Sequence, residues 1–171
     1  MMGGSGDYFD VADTVIAMVE YVPHDVTAEA KAIAEKYRTE RKIEGGEHFG
    51  DIAPRIPLAW SLDPSKGKYE VKITAKGVKT ILFGRHEIDL TAVEQLVHPS
   101  QLNAIGQALY YARERYMDGR RTVAEILDLV MRDIDEKGLD VLDSRLMGNY
   151  ARFRKQELAA ALNRLRTLRV K

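Results

Sequence analysis

Lysine and arginine are concentrated in two stretches of this chain, and clustered cations are the side chains that bind phosphate groups. Residues 66–85 contain six basic residues and one glutamate, for a net charge of +5, and residues 152–171 contain seven basic residues and one glutamate, for +6. The whole chain of 171 residues is neutral, so the remainder carries −11. Segments of this kind can bind the backbone of a nucleic acid, but the charge alone favours a solvated surface without a ligand.

A glycine run near the start, in GGSGDYFDVADTVI, has the composition of a loop that could hold a phosphate. Such a loop needs a strand before it, a helix after it and usually a lysine beside a hydroxyl group. Here Asp7 follows Gly6, and no lysine precedes Lys31. Because a carboxylate aimed at a phosphate would repel it, the pattern favours a plain turn over direct phosphate binding.

Other reactive residue types give no catalytic site. The chain has no cysteine, which excludes disulfides, thiol catalysis and cysteine metal sites. Glu44, Glu47 and His48 stand together in EGGEHFG. Three local ligands of this kind favour a plain surface loop over a metal site or over a nucleotide-responsive or partner-contacting loop. With no Ser-His-Asp or paired-carboxylate arrangement evident, we predict no metal site and no catalytic residue.

The composition, 45% apolar and 30% charged, is that of a globular protein. The apolar stretches are too short to span a bilayer and no signal-peptide pattern opens the chain, so we expect no contact with membranes. The lack of cysteine fits a reducing compartment. These features predict a cytoplasmic protein.

The N-terminal part of the chain is predicted to contain a strand, a helix and a connector. Residues 14–22 are largely apolar and β-branched, which indicates a buried strand ended by Pro23. Thr27 can cap a helix over residues 28–37. Glycines and prolines are frequent over residues 38–67, which is typical of a loop-like connector.

A β-hairpin is predicted over residues 69–83, where apolar and polar side chains alternate and Gly77 supplies the turn. A capping box of Thr91 and Glu94 then predicts a helix over residues 89–97.

Three further helices are predicted in the remainder of the chain. Ser100 caps the first, a capping box of Thr122 and Glu125 opens the second, and the third covers residues 154–168. Apolar residues at helical spacing are expected to form the core. They are Leu102, Ile105, Leu109, Ala112 and Tyr116, then Val123, Ile126, Leu127, Val130 and Ile134, and then Leu158, Ala161, Leu162 and Leu165.

Four blocks of the chain together resemble the predicted ATPases of the ABC class, a group distinct from ordinary ABC transporters. In chain order they are GGSGDYFDVADTVI, LFGRHEIDLTAVEQLVHPSQLNAIGQALYYA, YMDGRRTVAEILDLV and RKQELAAALNRLRTLRVK. The resemblance runs over nearly the whole chain. It covers only the C-terminal portion of the family, since whole members are several times longer.

The resemblance implies roles for the first residues. Residues 11–16, VADTVI, resemble the pattern that introduces a late strand of the ABC ATPase sheet, which places Ser5, Gly6 and Asp7 at the nucleotide switch loop. Gly6 takes the position of the switch histidine, so any switch role falls to backbone amides, Ser5 or Asp7. The nucleotide-binding lysine motif, the signature and the magnesium-binding Asp-Glu pair would lie upstream of Met1. ATP and Mg²⁺ are therefore implied for the full-length protein, and no ATPase activity is expected from this chain alone.

Together these features predict an α+β protein in three parts. Residues 1–22 would complete the ABC ATPase core, residues 23–68 would form a helix and connector, and residues 69–171 would form a β-hairpin and helical accessory domain. That domain is expected to couple ATP binding and hydrolysis in the full-length protein to RNA or another partner, because relatives of these ATPases have been associated with RNA binding. A protein-interaction or dimerisation module without nucleic-acid binding is the alternative.

Five cations are candidates for the nucleic-acid contacts: Lys72, Lys79, Arg152, Lys155 and Arg166. At 100° per residue, Lys155 and Arg166 share one side of the predicted last helix. Lysines are expected on the outer face of the hairpin. The expected partners are the upstream ATPase domain, RNA and, as a further option, a second copy of the chain.

Overall fold

The computed structural model describes residues 6–37, 50–68 and 70–171. The chain divides into two compact units, Met1–Asp51 and Ile52–Lys171, called here the N-terminal and C-terminal units. Helices and small antiparallel sheets make up the described residues, which confirms the predicted α+β class. None of the described helices is long and apolar enough to cross a membrane. The three-part domain limits remain a prediction.

In the N-terminal unit a hairpin forms where the sequence predicted one buried strand over residues 14–22. Strand β1 (Ile16–Val19) pairs antiparallel with β2 (Val22–Asp25), and Glu20 and Tyr21 turn the chain with φ of 49° and 66°. Two consecutive left-handed residues suit a two-residue hairpin turn, although glycine or asparagine usually occupies it. Both strands are also largely exposed. The prediction of one buried strand is therefore wrong. The turn was missed because neither Glu20 nor Tyr21 is a residue type that usually indicates a turn.

Helix α1 covers Thr27–Lys36, and its N-cap residue is Val26 rather than the predicted Thr27. The Asp25 carboxylate accepts hydrogen bonds from the Thr27 hydroxyl at 2.6 Å and from the Thr27 N–H at 3.0 Å. These two bonds lower the pKa of Asp25. The Thr27 hydroxyl also accepts from the Val15 N–H at 2.9 Å. The Thr27 side chain is thus engaged by the hairpin and does not cap the helix.

The C-terminal unit contains a three-stranded antiparallel sheet in the order β3-β4-β5. The hairpin of β3 (Ile73–Lys76) and β4 (Thr80–Phe83) confirms the predicted strand pair, and Gly77 turns with a φ of 63°. Tyr69, where the predicted hairpin begins, lies outside the described residues. Strand β5 (His86–Asp89) adds a third strand that the sequence analysis did not identify.

The helix predicted over residues 89–97 is absent, and the described chain there forms turns. The Thr91 N–H donates to the Asp89 carboxylate at 2.9 Å, which ends β5 in a tight turn. Backbone bonds from Val93 to Leu90 and from Leu96 to Val93 make two further short turns. All three apolar side chains are buried. Their spacing of three places them in the core without an α-helix.

Three α-helices follow: α2 (Pro99–Arg115), α3 (Val123–Lys137) and α4 (Lys155–Arg164). The predicted capping box of α3 is confirmed. The Thr122 hydroxyl accepts from the Glu125 N–H at 3.3 Å, and the Glu125 carboxylate accepts from the Thr122 N–H at 2.7 Å.

Two predicted helix ends differ from the observed ones. His98 rather than Ser100 caps α2, because Nδ1 of His98 accepts from the Ser100 N–H at 3.2 Å. Helix α4 ends at Arg164 rather than Leu168, since the backbone of Leu165, with ψ of 102°, has left the helical region.

Helix α2 packs on the inner face of β3 and β4. A Cβ atom on Gly106 would lie 2.6 Å from Cγ2 of Ile73 and 3.0 Å from Cγ2 of Ile81, so the helix can approach the sheet because glycine occupies this position. The apolar stripes predicted for the helices lie in the core, except that Tyr116 is only partly buried at its margin.

The end of the chain is fixed to the segment that opens the C-terminal unit. Ile56 and Lys171 exchange two backbone hydrogen bonds of 3.0 Å, and the Leu58 N–H donates to the Arg169 carbonyl at 2.9 Å. The Arg169 N–H donates to the Ser61 hydroxyl at 3.0 Å. The basic C-terminal residues are therefore part of the folded unit.

Candidate nucleic-acid interface

Two of the three cations predicted near the end of the chain, Arg152 and Lys155, line an open groove at the N-terminal end of α4. The groove has a volume of about 620 Å³ and is called here the α4 groove. Its lining residues are Gln95, Gln101, Met131, Arg152, Phe153, Arg154, Lys155 and Glu157. The fold thus brings together two predicted residues, Arg152 and Lys155, and adds Arg154, which the sequence analysis did not select.

Each of the three cations in the α4 groove has a carboxylate partner. Arg152 pairs with Asp135 of α3. Lys155 Nζ lies 2.6 Å from the Asp128 carboxylate, also on α3. The cations of the groove are therefore paired with carboxylates rather than bare positive charges.

The third pair differs from the other two because its acid is buried. Arg154 contacts Glu157 at 2.8 Å, and the Glu157 side chain is 4% exposed. Glu157 also accepts from the Arg154 backbone N–H at 2.9 Å, which closes the first turn of α4. By contrast, the side chains of Asp128 and Asp135 are 62% and 60% exposed. Arg154 and Glu157 thus stabilise the helix, whereas Arg152 and Lys155 are the cations whose partners a ligand can displace.

A second groove of about 370 Å³ continues from the first along one flank of α4. The two share Gln95, Arg154 and Glu157, and the second adds Arg164. Hydrogen bonds from Thr91 lower the pKa of Asp89, with smaller contributions from Arg164 and Arg166.

The sequence predicted that Arg166 and Lys155 share one face of the last helix. This prediction is wrong, because α4 ends before Arg166. The charge of Arg166 instead contributes to the lowered pKa of Asp89 at the end of β5. Arg166 is exposed and lies beyond the lining of both grooves.

The two lysines predicted on the hairpin lie at opposite ends of the sheet. Lys72 precedes β3, where its carbonyl accepts from the Gly84 N–H at 2.8 Å. Lys79 lies in the turn before β4, and its carbonyl accepts from the Leu90 N–H at 2.7 Å. Both side chains are exposed, and about 13 Å of strand separates the two ends. Neither lines the α4 groove. Their role in nucleic-acid binding remains a prediction.

Two of the three switch-loop candidates lie in a short 3₁₀ helix, Gly6–Tyr8, and Ser5 lies outside the described residues. Among the described residues, a Cβ atom on Gly6 would meet only the Phe9 ring within 4 Å, at 3.6 Å, which is an ordinary contact. Packing against this part of the chain therefore does not require glycine at Gly6, and Asp7 is exposed beside it. The switch role of these residues remains a prediction.

A buried carboxylate that the sequence analysis did not identify joins α2 to α3. Asp133, 4% exposed, accepts hydrogen bonds from the Tyr111 hydroxyl at 2.8 Å, from Lys137 Nζ at 2.9 Å and from the Tyr116 hydroxyl. Burial acts to raise the pKa of Asp133, but the three donors together outweigh it and lower the pKa to about 2. Burial and the bonds to Asp133 raise the pKa of both tyrosines. This cluster stabilises the helix pair.

Metal binding finds no support in the part of the chain that the structure describes. No group of three or more His, Cys, Asp or Glu side chains converges there on a possible ion site. Glu44, Glu47 and His48 lie outside the described residues.

Comparisons with known proteins agree with the division of the chain into an N-terminal and a C-terminal unit. Residues 1–55 match the P-loop domain of ABC ATPases, which confirms the predicted resemblance and relates the chain to the ABC class. Residues 72–171 match the MRB1590 C-terminal domain. The chain belongs to the family that this C-terminal domain defines. No curated protein matches the chain.

Proposed function

We propose that the C-terminal unit is an accessory domain that binds RNA and couples this binding to ATP binding and hydrolysis in the full-length ABC-class ATPase. The α4 groove is the observation that supports the proposal most, because it places Arg152 and Lys155 on one rigid surface. The charge of the unit adds to it: residues 52–171 contain 21 basic and 15 acidic residues, for a net charge of +6. A positive surface attracts RNA phosphates and releases their counterions on binding.

Exchange of carboxylate for phosphate is the physical basis of the proposed binding. Exposed ion pairs contribute about 0–1 kcal/mol each, so replacing Asp128 or Asp135 by a phosphate oxygen costs little. The phosphate contact then gains from counterion release, which the internal pair does not provide. Gln95 lines the same groove and can donate amide hydrogen bonds to phosphate or sugar oxygens, whereas Gln101 Nε2 already donates to the Arg152 carbonyl at 3.2 Å.

ATP and Mg²⁺ are proposed ligands of the full-length protein, supported by the match of residues 1–55 to the P-loop domain. Ser5, Gly6 and Asp7 are the proposed switch-loop residues. The upstream ATPase domain is the proposed partner of the N-terminal unit. A chain without cysteine suits a reducing compartment such as the cytoplasm.

The test measures RNA binding by the full chain and by Arg152→Gln/Lys155→Gln. We expect the double variant to bind a single-stranded RNA roughly tenfold more weakly and uniformly across sequences. The slope of log affinity against log salt concentration should become shallower by about 0.7 for each lost phosphate contact. Stability should change little, because substitutions of exposed residues usually change the free energy of unfolding by less than about 0.5 kcal/mol.

Two matched variants complete the experiment. Arg120→Gln/Lys66→Gln removes the same charge from exposed residues outside the groove and should leave the affinity nearly unchanged. Asp128→Asn/Asp135→Asn removes the competing carboxylates and should strengthen binding. If the groove variant and the control weaken binding equally, the cations act only as general surface charge. If the full chain does not bind RNA, the alternative of a protein-interaction module is favoured.

A further inference from the structure

The single tryptophan of the chain, Trp60, is exposed to solvent on the C-terminal unit. Its exposed fraction is 69%, whereas the two residues that follow it, Ser61 and Leu62, are 4% and 0% exposed. Tryptophan is usually well buried on average, and exposed tryptophan is enriched at binding interfaces. The sequence analysis did not select this residue.

The backbone around Trp60 is held rigidly. Trp60 is the middle residue of the 3₁₀ helix Ala59–Ser61. The Ser61 N–H and hydroxyl both donate to the Leu58 carbonyl, at 2.9 Å and 2.6 Å. The Leu62 N–H donates to the Ala59 carbonyl at 3.1 Å. An aromatic side chain on a fixed backbone loses little conformational entropy on binding, so it is pre-organised for a ligand.

Basic residues contact the residues on both sides of Trp60. Arg113 Nε donates to the Ala59 carbonyl at 3.2 Å, immediately before Trp60. Arg169 donates its backbone N–H to the Ser61 hydroxyl immediately after it, and Lys171 lies two residues further along the same tail. Two acids are close to Arg113: Glu114 pairs with it, and hydrogen bonds from Ser65 lower the pKa of Asp63 with a smaller contribution from Arg113. An exposed aromatic group with arginines nearby is the arrangement that binds a base and its phosphates.

We infer that Trp60 is a stacking platform for one base of a single-stranded RNA, with Arg113, Arg169 and Lys171 contacting the adjacent phosphates. This inference rests on the proposed RNA-binding function and adds a second contact site to it. Helix α4, which begins at the α4 groove, is about 15 Å long, and Arg169 follows shortly after its end. In the proposed complex, a strand of several nucleotides spans the distance from the groove to Trp60. Stacking accepts any base, so this site contributes affinity without sequence preference.

Trp60 also provides the readout, because with excitation at wavelengths that tryptophan but not tyrosine absorbs, the emission of the full chain comes from this one residue. The experiment titrates the chain with a 12-nucleotide oligoadenylate and, separately, with inorganic polyphosphate of similar charge. We expect the RNA to quench the emission saturably, over the same concentrations at which fluorescence anisotropy of a labelled RNA reports binding. Polyphosphate should compete for the cations but leave the emission nearly unchanged, since it has no base.

Variants separate stacking from charge. Trp60→Ala should weaken oligoadenylate binding about tenfold, the order expected for one lost base stack, with an unchanged salt slope. Trp60→Phe should retain most of the affinity. Leu146→Ala, at another exposed apolar residue of the same unit, is the matched control and should have no effect.

The outcomes distinguish this inference from the function on which it rests. RNA binding without quenching, and with Trp60→Ala unchanged, overturns the stacking site and leaves the α4 groove intact. No RNA binding by the chain overturns both. An emission change that depends on protein concentration without RNA, together with dimers in sedimentation, overturns the stacking site in favour of a contact between copies of the chain.

Discussion

The two units of the chain differ in how they bury their apolar residues. In residues 6–37 of the N-terminal unit, Ala30 is the one buried apolar side chain, while nine large apolar side chains are exposed. In the C-terminal unit, 25 buried apolar residues form one cluster. The net charges are also opposite, −6 for residues 1–51 and +6 for residues 52–171. The C-terminal unit has its own core and a positive net charge, whereas the described residues of the N-terminal unit leave most of their large apolar side chains exposed.

The described residues of the N-terminal unit therefore bury little apolar surface among themselves. A two-stranded hairpin with exposed apolar side chains is at best marginally stable alone. We propose that strands of the upstream ATPase domain, whose P-loop family residues 1–55 match, cover these side chains. We expect stability measurements on this chain to report the C-terminal unit almost exclusively.

Truncating one isoleucine in each unit tests the contrast most strongly. Ile81→Ala removes a fully buried side chain between the sheet and α2, and we expect it to lower the free energy of unfolding by about 2–5 kcal/mol. Ile16→Ala removes a side chain that is 52% exposed and should change it by less than about 0.5 kcal/mol. Urea denaturation followed by circular dichroism measures both. Equal losses would show that the hairpin belongs to the same cooperative core.

The pH dependence of stability should also come from the C-terminal unit. The pKa of Asp133 is lowered from its ordinary 3.8 to about 2 in the folded state, so its contribution is complete above pH 4 and is lost as the pH falls towards 2. The loss should be on the order of 2 kcal/mol. Stability curves against pH for the parent chain and Asp133→Asn measure it, and the variant should lack this acid-dependent part.

Asp25 of the N-terminal unit supplies the control for that measurement. Its pKa is also lowered, but it is exposed, so Asp25→Asn should leave the acid dependence of unfolding as it is in the parent chain. An identical curve for the parent and Asp133→Asn would contradict the role assigned to the buried cluster.

A smaller effect is expected from added volume where α2 meets the sheet. Gly106→Ala places a methyl group 2.6 Å from Ile73 Cγ2, and overpacking of this kind costs about 1–3 kcal/mol. The better helix propensity of alanine offsets about 1 kcal/mol of that cost. Gly148→Ala meets no atom within 4 Å and serves as the control. Thermal unfolding should show a lower midpoint for Gly106→Ala alone.

Local sequence signals predicted much of the C-terminal unit. The capping box of Thr122 and Glu125 and the apolar stripes of the helices depend on residues within a few positions of one another, and the structure confirms them. The turns after Asp89 were missed because the Asp89 carboxylate, rather than the predicted capping box, fixes the chain there. The hairpin of β1 and β2 was missed because Glu20 and Tyr21 carry no turn signal.

The candidate site was predictable in its cations but not in their partners. Arg152 and Lys155 stand out in a basic segment, whereas their carboxylates on α3, Asp135 and Asp128, lie 17 and 27 positions away. Such pairs arise from the packing of α3 against α4, which no local pattern encodes. Trp60 was missed because its exposure is set by the packing of the folded unit, which no local pattern encodes.

RNA binding by residues 52–171 alone tests the central claim most directly. The fragment keeps the apolar cluster, the α4 groove and Trp60, and it loses a segment of net charge −6. We predict that it folds cooperatively and binds single-stranded RNA at least as tightly as the full chain, with the same steep dependence on salt. A folded fragment that fails to bind RNA which the full chain binds would contradict the account.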